Sequence, residues 1–133
     1  MTRTELASYI QAKKSVLCVG LDPDLDKMPA QFTRDAQGVA DFCCAIIDAT
    51  SDYAVAYKPN LAFFESLGLE GWAALAQVAQ HLSKYPEHFS IADAKRGDIG
   101  NTARHYAEGI LGQLGFDSIT VAPYMGRDSL EPF

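Results

Sequence analysis

Four short apolar runs, the first three each followed by residues at helical spacing, set the frame of this 133-residue chain. The runs are Val16-Leu17-Cys18-Val19-Gly20, Tyr53-Ala54-Val55-Ala56-Tyr57, a third that starts at about Phe89, and Ser118-Ile119-Thr120-Val121-Ala122. Between them lie three helical faces. The first is Val39, Phe42, Cys43, Ile46 and Ile47; the second Trp72, Leu75, Val78, Ala79 and Leu82; the third Ala103, Tyr106, Ala107, Ile110, Leu111 and Leu114. Spacings of three and four residues place each set on one side of a helix. Strands that alternate with helices pair in parallel through right-handed crossovers.

Local chemistry sharpens these boundaries. Thr2-Arg3-Thr4-Glu5 has the form of a capping box and predicts a short helix to about Lys14. The unbroken run Val16–Gly20 predicts a strand buried on both faces. A helix is expected from about Gln37 to Thr50. Pro59 lacks an N–H, so it is expected to stop the second ladder. Asn60 either caps a helix from Leu61 to about Leu67 or reaches a ligand. Gly68 to Gly71 reads as a break, Gly115 as a helix stop, and Asp128-Ser129-Leu130-Glu131 as the start of a further helix. Trp72 is expected in the core.

The third strand carries the chemistry. Ile91, Asp93 and Lys95 are two apart and share one face, while Ala92 and Ala94 share the other, where small side chains admit a close helix. A buried ion costs several kcal/mol unless it is paired, so a strand presenting a carboxylate and an ammonium needs a reason. Gly97 turns the chain and Asp98 adds a second carboxylate just beyond. Asp22 and Lys58 close the first two strands in the same way. In a parallel sheet these ends all lie on one side, the side where ligands bind. Each group also has a plain reading: a structural ion pair for Asp93 and Lys95, a helix cap for Asp98, a surface lysine for Lys58. Three consecutive strands ending this way point to a site at one mouth.

Other classes of function are disfavoured. The net charge of −6 leaves no basic stripe for nucleic acid. No apolar run approaches the roughly 20 residues of a membrane span. The N-terminus lacks a signal peptide's apolar segment, so a cytoplasmic location is expected. Cys18, Cys43 and Cys44 form no CxxC and read as packing residues in a reducing compartment. Asp22, Asp24 and Asp26 alternate as in a calcium loop, but Lys27 stands where that loop needs Gly and Thr33 where it needs Glu. His81, His88 and His105 show no ligand spacing.

A free four-stranded unit would expose two sheet edges and an uncovered inner face. With 48% hydrophobic and 21% charged residues, the chain reads as an α/β fold. The expectation is the N-terminal half, about four βα units, of a (βα)8 TIM barrel. Residues 1–133 would then be one partial domain, interrupted at the fourth barrel helix. A complete four-stranded α/β domain is the alternative.

The residues Asp93-Ala94-Lys95-Arg96-Gly97-Asp98-Ile99, with Thr102, match a D-x-K-x-x-D-I-x-x-T pattern. With Gly20-Leu21-Asp22-Pro23-Asp24 and Lys58-Pro59-Asn60, the chain resembles the orotidine 5′-phosphate decarboxylase family, in its longer bacterial branch. A similar D-x-K-x-x-D occurs in 3-keto-L-gulonate 6-phosphate decarboxylase, which holds magnesium with a carboxylate at the end of strand two. Lys58 stands there in this chain, and an ammonium repels a divalent cation.

The resemblance implies decarboxylation of orotidine 5′-monophosphate to uridine 5′-monophosphate without cofactor or metal. It implies Lys95 as proton donor, Asp93 beside the departing carboxylate, and Lys58 and Asp98 completing a Lys–Asp–Lys–Asp array. Asp22, Lys58 and Asn60 would bind the ribose. Asp98, Ile99 and Thr102 would enter the neighbouring site of a homodimer. The family's phosphate-gripping loops belong to the other half of the barrel. The competing readings are the magnesium-dependent sugar-phosphate decarboxylase and a non-catalytic half-barrel.

Overall fold

The computed structural model describes every residue from Met1 to Phe133. Strands β1 (Leu17–Leu21), β2 (Ala54–Pro59), β3 (Phe89–Arg96) and β4 (Ser118–Val121) lie side by side in chain order, and every neighbouring pair is parallel. Helices α2 (Ala36–Thr50), α3 (Leu61–Glu65), α4 (Gly68–Leu82) and α5 (Gly100–Ala107) fill the crossovers. A wider π-type segment, Glu108–Gln113, continues α5, and Gly115 then turns the chain at φ +74°. The predicted parallel α/β arrangement is the observed one.

The core lies between the sheet and its helices. Val39, Cys43 and Ile47 of α2 meet Leu75, Val78 and Leu82 of α4 over Ala54, Tyr57, Ala92 and Ala94 of the sheet. The alanines of β3 are buried as their alternation requires. Fully burying a leucine or valine contributes about 1.5–3 kcal/mol, so these two helices are what hold the layers together.

The helix α1 (Arg3–Lys13) buries no side chain, and its attachment is polar. Thr2 and Glu5 form the expected capping box. The terminal ammonium of Met1 lies 2.5 Å from Asp117. Lys13 donates to the carbonyls of Ser51 at 2.6 Å and Ala54 at 3.0 Å, and to His88 Nε2 at 2.7 Å. These contacts strap α1 across the strands' N-terminal end.

Several local expectations need correction. Val16–Gly20 is not buried on both faces. Val16 and Leu17 are exposed, and so is Cys18, because β1 is the sheet's edge with no neighbour beyond it. Only Cys43 packs fully inside, where burial pushes its thiol up to about 12. Pro59 does not stop the second ladder: it pairs with Leu21, and the Asn60 N–H donates to the Leu21 carbonyl at 3.1 Å. A proline suits this position because the lost N–H falls where the neighbouring residue resumes the bonding.

Gly68 to Gly71 is a corner rather than a break. Gly68, at φ +66°, starts α4 directly. Trp72, in the first turn beyond it, is 38% exposed and not core. Asp128 sits in a 3-10 turn, Arg127–Ser129, instead of starting an α-helix.

The corner is tight. A Cβ on Gly71 would lie 1.8 Å from the Phe64 carbonyl oxygen, so α3 and α4 approach only because this side chain is missing. Gly71→Ala is expected to lower unfolding stability by about 1–3 kcal/mol, read as a reduced urea midpoint. An unchanged midpoint would show that the corner relaxes freely.

Candidate active site

The C-terminal ends of β2, β3 and β4 bring three charged groups and a hydroxyl together. Lys58 Nζ donates to Asp93 Oδ2 at 2.9 Å, and Lys95 Nζ approaches the same oxygen at 2.7 Å. Thr120 Oγ1 donates to Asp93 Oδ1 at 2.9 Å. Asp93 is the hub, with its side chain only 12% exposed, against 34% for Lys58 and 65% for Lys95. The plain reading of Lys58 as a surface lysine therefore does not hold. Lys95 itself is largely open to solvent, so its ammonium is held by Asp93 and not by burial.

Electrostatics follow the contacts. Hydrogen bonding to Lys95, then to Lys58 and Thr120, outweighs desolvation and depresses the Asp93 carboxyl to about 2. The bond to Asp93 raises Lys58 in turn. Ion pairing of opposite charges favours the charged form of each.

The backbone at Lys95 is unusual. Ala92 pairs with Ile119 and Arg96 with Val121, so Asp93, Ala94 and Lys95 stand opposite Thr120 alone. Lys95 takes φ +50°. A non-glycine residue in this region costs roughly 1–2 kcal/mol, and such conformations persist only where their surroundings hold them. Arg96 holds the outer side. Its guanidinium pairs with Glu65, donates to the Ala94 carbonyl at 3.0 Å and lies 5.4 Å from the centre of the Tyr106 ring.

A second pair forms at the same rim. Asn60 Nδ2 donates to Asp22 Oδ2 at 3.2 Å, and Asn60 Oδ1 accepts from the Ala62 N–H at 3.3 Å. The capping reading of Asn60 holds: its Oδ1 caps α3, while its amide donates to Asp22. A cavity of about 270 Å³ adjoins Asp22 and is lined also by Asp24, Lys27, Met28, Phe42 and Phe63. A larger one, about 640 Å³, lies near Met1, Tyr9 and Asp117 at the strands' opposite end and touches none of the expected site residues.

Not every expected residue joins. Asp98 makes no ion pair with Lys58 or Lys95; its Oδ1 accepts from the Ile99 N–H at 2.7 Å. Within this chain the array is Lys–Asp–Lys. Ile99 is 57% exposed, and Thr102 is half-buried on α5. The cap reading of Asp98 also fails: its carboxylate takes no N–H of α5, whose first N–H, at Gly100, donates to Asp128 Oδ2 at 3.4 Å instead. Sequence reasoning missed Thr120, Arg96 and Glu65. The polar Thr120 within an apolar strand was the available signal.

Four parallel strands joined by helical crossovers, with ionisable side chains on the C-terminal rim, define half of a (βα)8 barrel with its site at the usual mouth. The sequence pattern of the orotidine 5′-phosphate decarboxylase / HUMPS family matches residues 15–133, and the chain belongs to that family. An orotidine 5′-phosphate decarboxylase of Christiangramia forsetii is 58% identical over all of this chain and 49% of its own length. One of Flavobacterium johnsoniae is 54% identical with the same coverage. The chain spans about half the length of the curated relatives it matches.

Among solved structures, Leishmania donovani OMP decarboxylase superposes with a TM-score of 0.84 at 44% identity, over 98% of this chain and 47% of that one. Leishmania donovani UMP synthase gives 0.86 at 43%, over 100% and 27%.

The depressed Asp93 value has a consequence for stability. A carboxylate whose folded value lies below its unfolded one stabilises the fold above the unfolded value, and that contribution is lost as pH falls toward the folded one. For Asp93 the window runs from 3.8 down to about 2. Wild type is expected to exceed Asp93→Asn by at most about 2 kcal/mol near neutral pH, less solvent screening at this open rim. Urea titrations at stepped pH should show the difference closing across that window. A gap that persists to the acid end would mean that Asp93 does not contribute through its charge.

Proposed function

We propose that this chain carries the reacting centre of an orotidine 5′-monophosphate decarboxylase, a cytoplasmic enzyme of pyrimidine nucleotide synthesis that uses no cofactor. The observation that supports this reading best is the Asp93 carboxylate held between the Lys58 and Lys95 ammonium groups. These residues occupy the charged positions of the family pattern. The names of the relatives support the same reaction.

The chemistry asks for fixed charge rather than a cofactor. The bond from C6 of the pyrimidine to its carboxylate breaks, carbon dioxide leaves, and the electron pair stays on C6. Lys95 gives an N–H proton to that carbon and then regains one from water. Preorganised charge aimed at the developing carbanion lowers the barrier without reorganisation. Asp93 anchors Lys95 and lies beside the departing carboxylate, where like charge disfavours the bound acid more than the product.

Asp22, Lys58 and Asn60 take the ribose hydroxyls, and the Asp22–Asn60 bond sets these groups in advance. Asp98, Ile99 and Thr102 serve the neighbouring subunit's site in a homodimer. That role fits an Asp98 whose carboxylate meets only the Ile99 N–H in this chain.

Phosphate contacts remote from the reacting carbon provide binding energy for the chemical step, and in the family they come from the other half. The chain alone is therefore expected to turn over orotidine 5′-monophosphate weakly or not at all. Co-expression with the C-terminal half of the Christiangramia forsetii relative is expected to raise the rate, followed as loss of substrate absorbance. No gain would favour the non-catalytic half-barrel. Loss of activity on adding chelator would favour the magnesium-dependent sugar-phosphate chemistry. Within the completed enzyme, Lys95→Ala is expected to abolish turnover while nucleotide binding stays measurable by calorimetry. Near-normal turnover in that variant would remove Lys95 from the mechanism.

A further inference from the structure

Thr120 occupies a position that no other side chain shares. At the bulge, Asp93, Ala94 and Lys95 face a single residue of β4. The ladder therefore cannot serve the Lys95 N–H in the ordinary way. That N–H donates instead to Thr120 Oγ1 at 3.0 Å. The same hydroxyl donates its own proton to Asp93 Oδ1 at 2.9 Å. Donor and acceptor roles are consistent: one oxygen receives from the lysine backbone and gives to the carboxylate.

Two degrees of freedom are fixed at once. The left-handed backbone at Lys95 is tied to β4, and the Asp93 carboxylate cannot rotate without leaving Thr120. Oδ2 is thereby kept for the two ammonium groups. On the other side of β3, Arg96 and Glu65 hold the strand end but reach neither Asp93 nor the Lys95 N–H.

We infer that Thr120 is a positioning residue for the Lys95–Asp93 pair, setting both the lysine backbone and the carboxylate plane through one hydroxyl. This rests on the decarboxylase reading. Thr120 touches no reacting atom; it acts on the proton donor. A donor displaced by about 1 Å can lose on the order of 100-fold in rate. Of the groups assigned to the ribose, Asp22 follows β1 and Asn60 follows β2, both away from Thr120, and only the Lys58 side chain touches Asp93, so the loss should fall mainly on kcat rather than on KM.

The test compares Thr120→Val and Thr120→Ser in the completed enzyme. Valine keeps the branched shape and removes the hydroxyl; serine keeps the hydroxyl. Valine is expected to lower kcat by about 10- to 100-fold with KM for orotidine 5′-monophosphate nearly unchanged. Serine is expected to restore most of the rate. A valine variant with normal kcat overturns the proposal. So does a serine variant as impaired as valine, which would indicate packing of the strand alone.

A second readout is independent of turnover. The Asp93 carboxyl, followed by carbon NMR, should titrate higher in Thr120→Val than in wild type or Thr120→Ser. An unchanged titration overturns the positioning role even where turnover falls. If the unsubstituted completed enzyme does not act on the nucleotide, the decarboxylase reading fails, and the titration still decides what Thr120 does.

Discussion

The Asp93 carboxylate is the interaction on which this site depends. Three strands supply its partners: Lys58 from β2, Lys95 from β3 and Thr120 from β4. Removing a carboxylate from water costs several kcal/mol unless partners replace its hydration. Here each oxygen has its own, and two positive charges flank one negative. The arrangement exists only if β2, β3 and β4 are parallel neighbours with their C-terminal ends level. Sheet order and site chemistry are thus a single constraint, which is why helices must separate the strands in sequence.

The two faces of β3 divide the work. The inner face carries Asp93 and Lys95. The outer face offers Ala92 and Ala94 to the helical layer, and Arg96 ends it with a clamp to Glu65 and Tyr106. Small side chains let the layers close; the arginine then fixes the strand end from the outside. Lys95, at φ +50°, lies between this clamp and the Thr120 hydroxyl. Strain of this kind is held in place by the contacts on either side rather than by the residue's own preference.

Much of this was legible in the residues themselves. The alternation Ile91, Asp93, Lys95 against Ala92, Ala94 gave the right faces, because period-two geometry is local. The capping box at Thr2 and Glu5 was legible for the same reason. What escaped depends on register between strands. Thr120 meets Asp93 only because Ala92 pairs with Ile119, and no local rule fixes that pairing. Burial of β1 was misjudged because an apolar run tells what a strand tolerates, not whether a neighbour is there to cover it. Pro59 was misjudged because a lost N–H matters only where the ladder needs one.

The unequal exposure of the strands bears on how much of the site this segment makes by itself. Val16 and Leu17 leave the β1 edge open, whereas β2 is almost wholly buried. The charged triad rests on β2 and β3 with a hydroxyl from β4, so its geometry does not lean on the open edge. The Asp22–Asn60 pair does, since Asp22 follows β1 directly. Closure of a barrel against β1 would therefore act first on Asp22 and Asn60 and only indirectly on Lys95. On this argument the reacting centre is the more self-sufficient part of the site, and the sugar end is the part that a neighbouring strand would set.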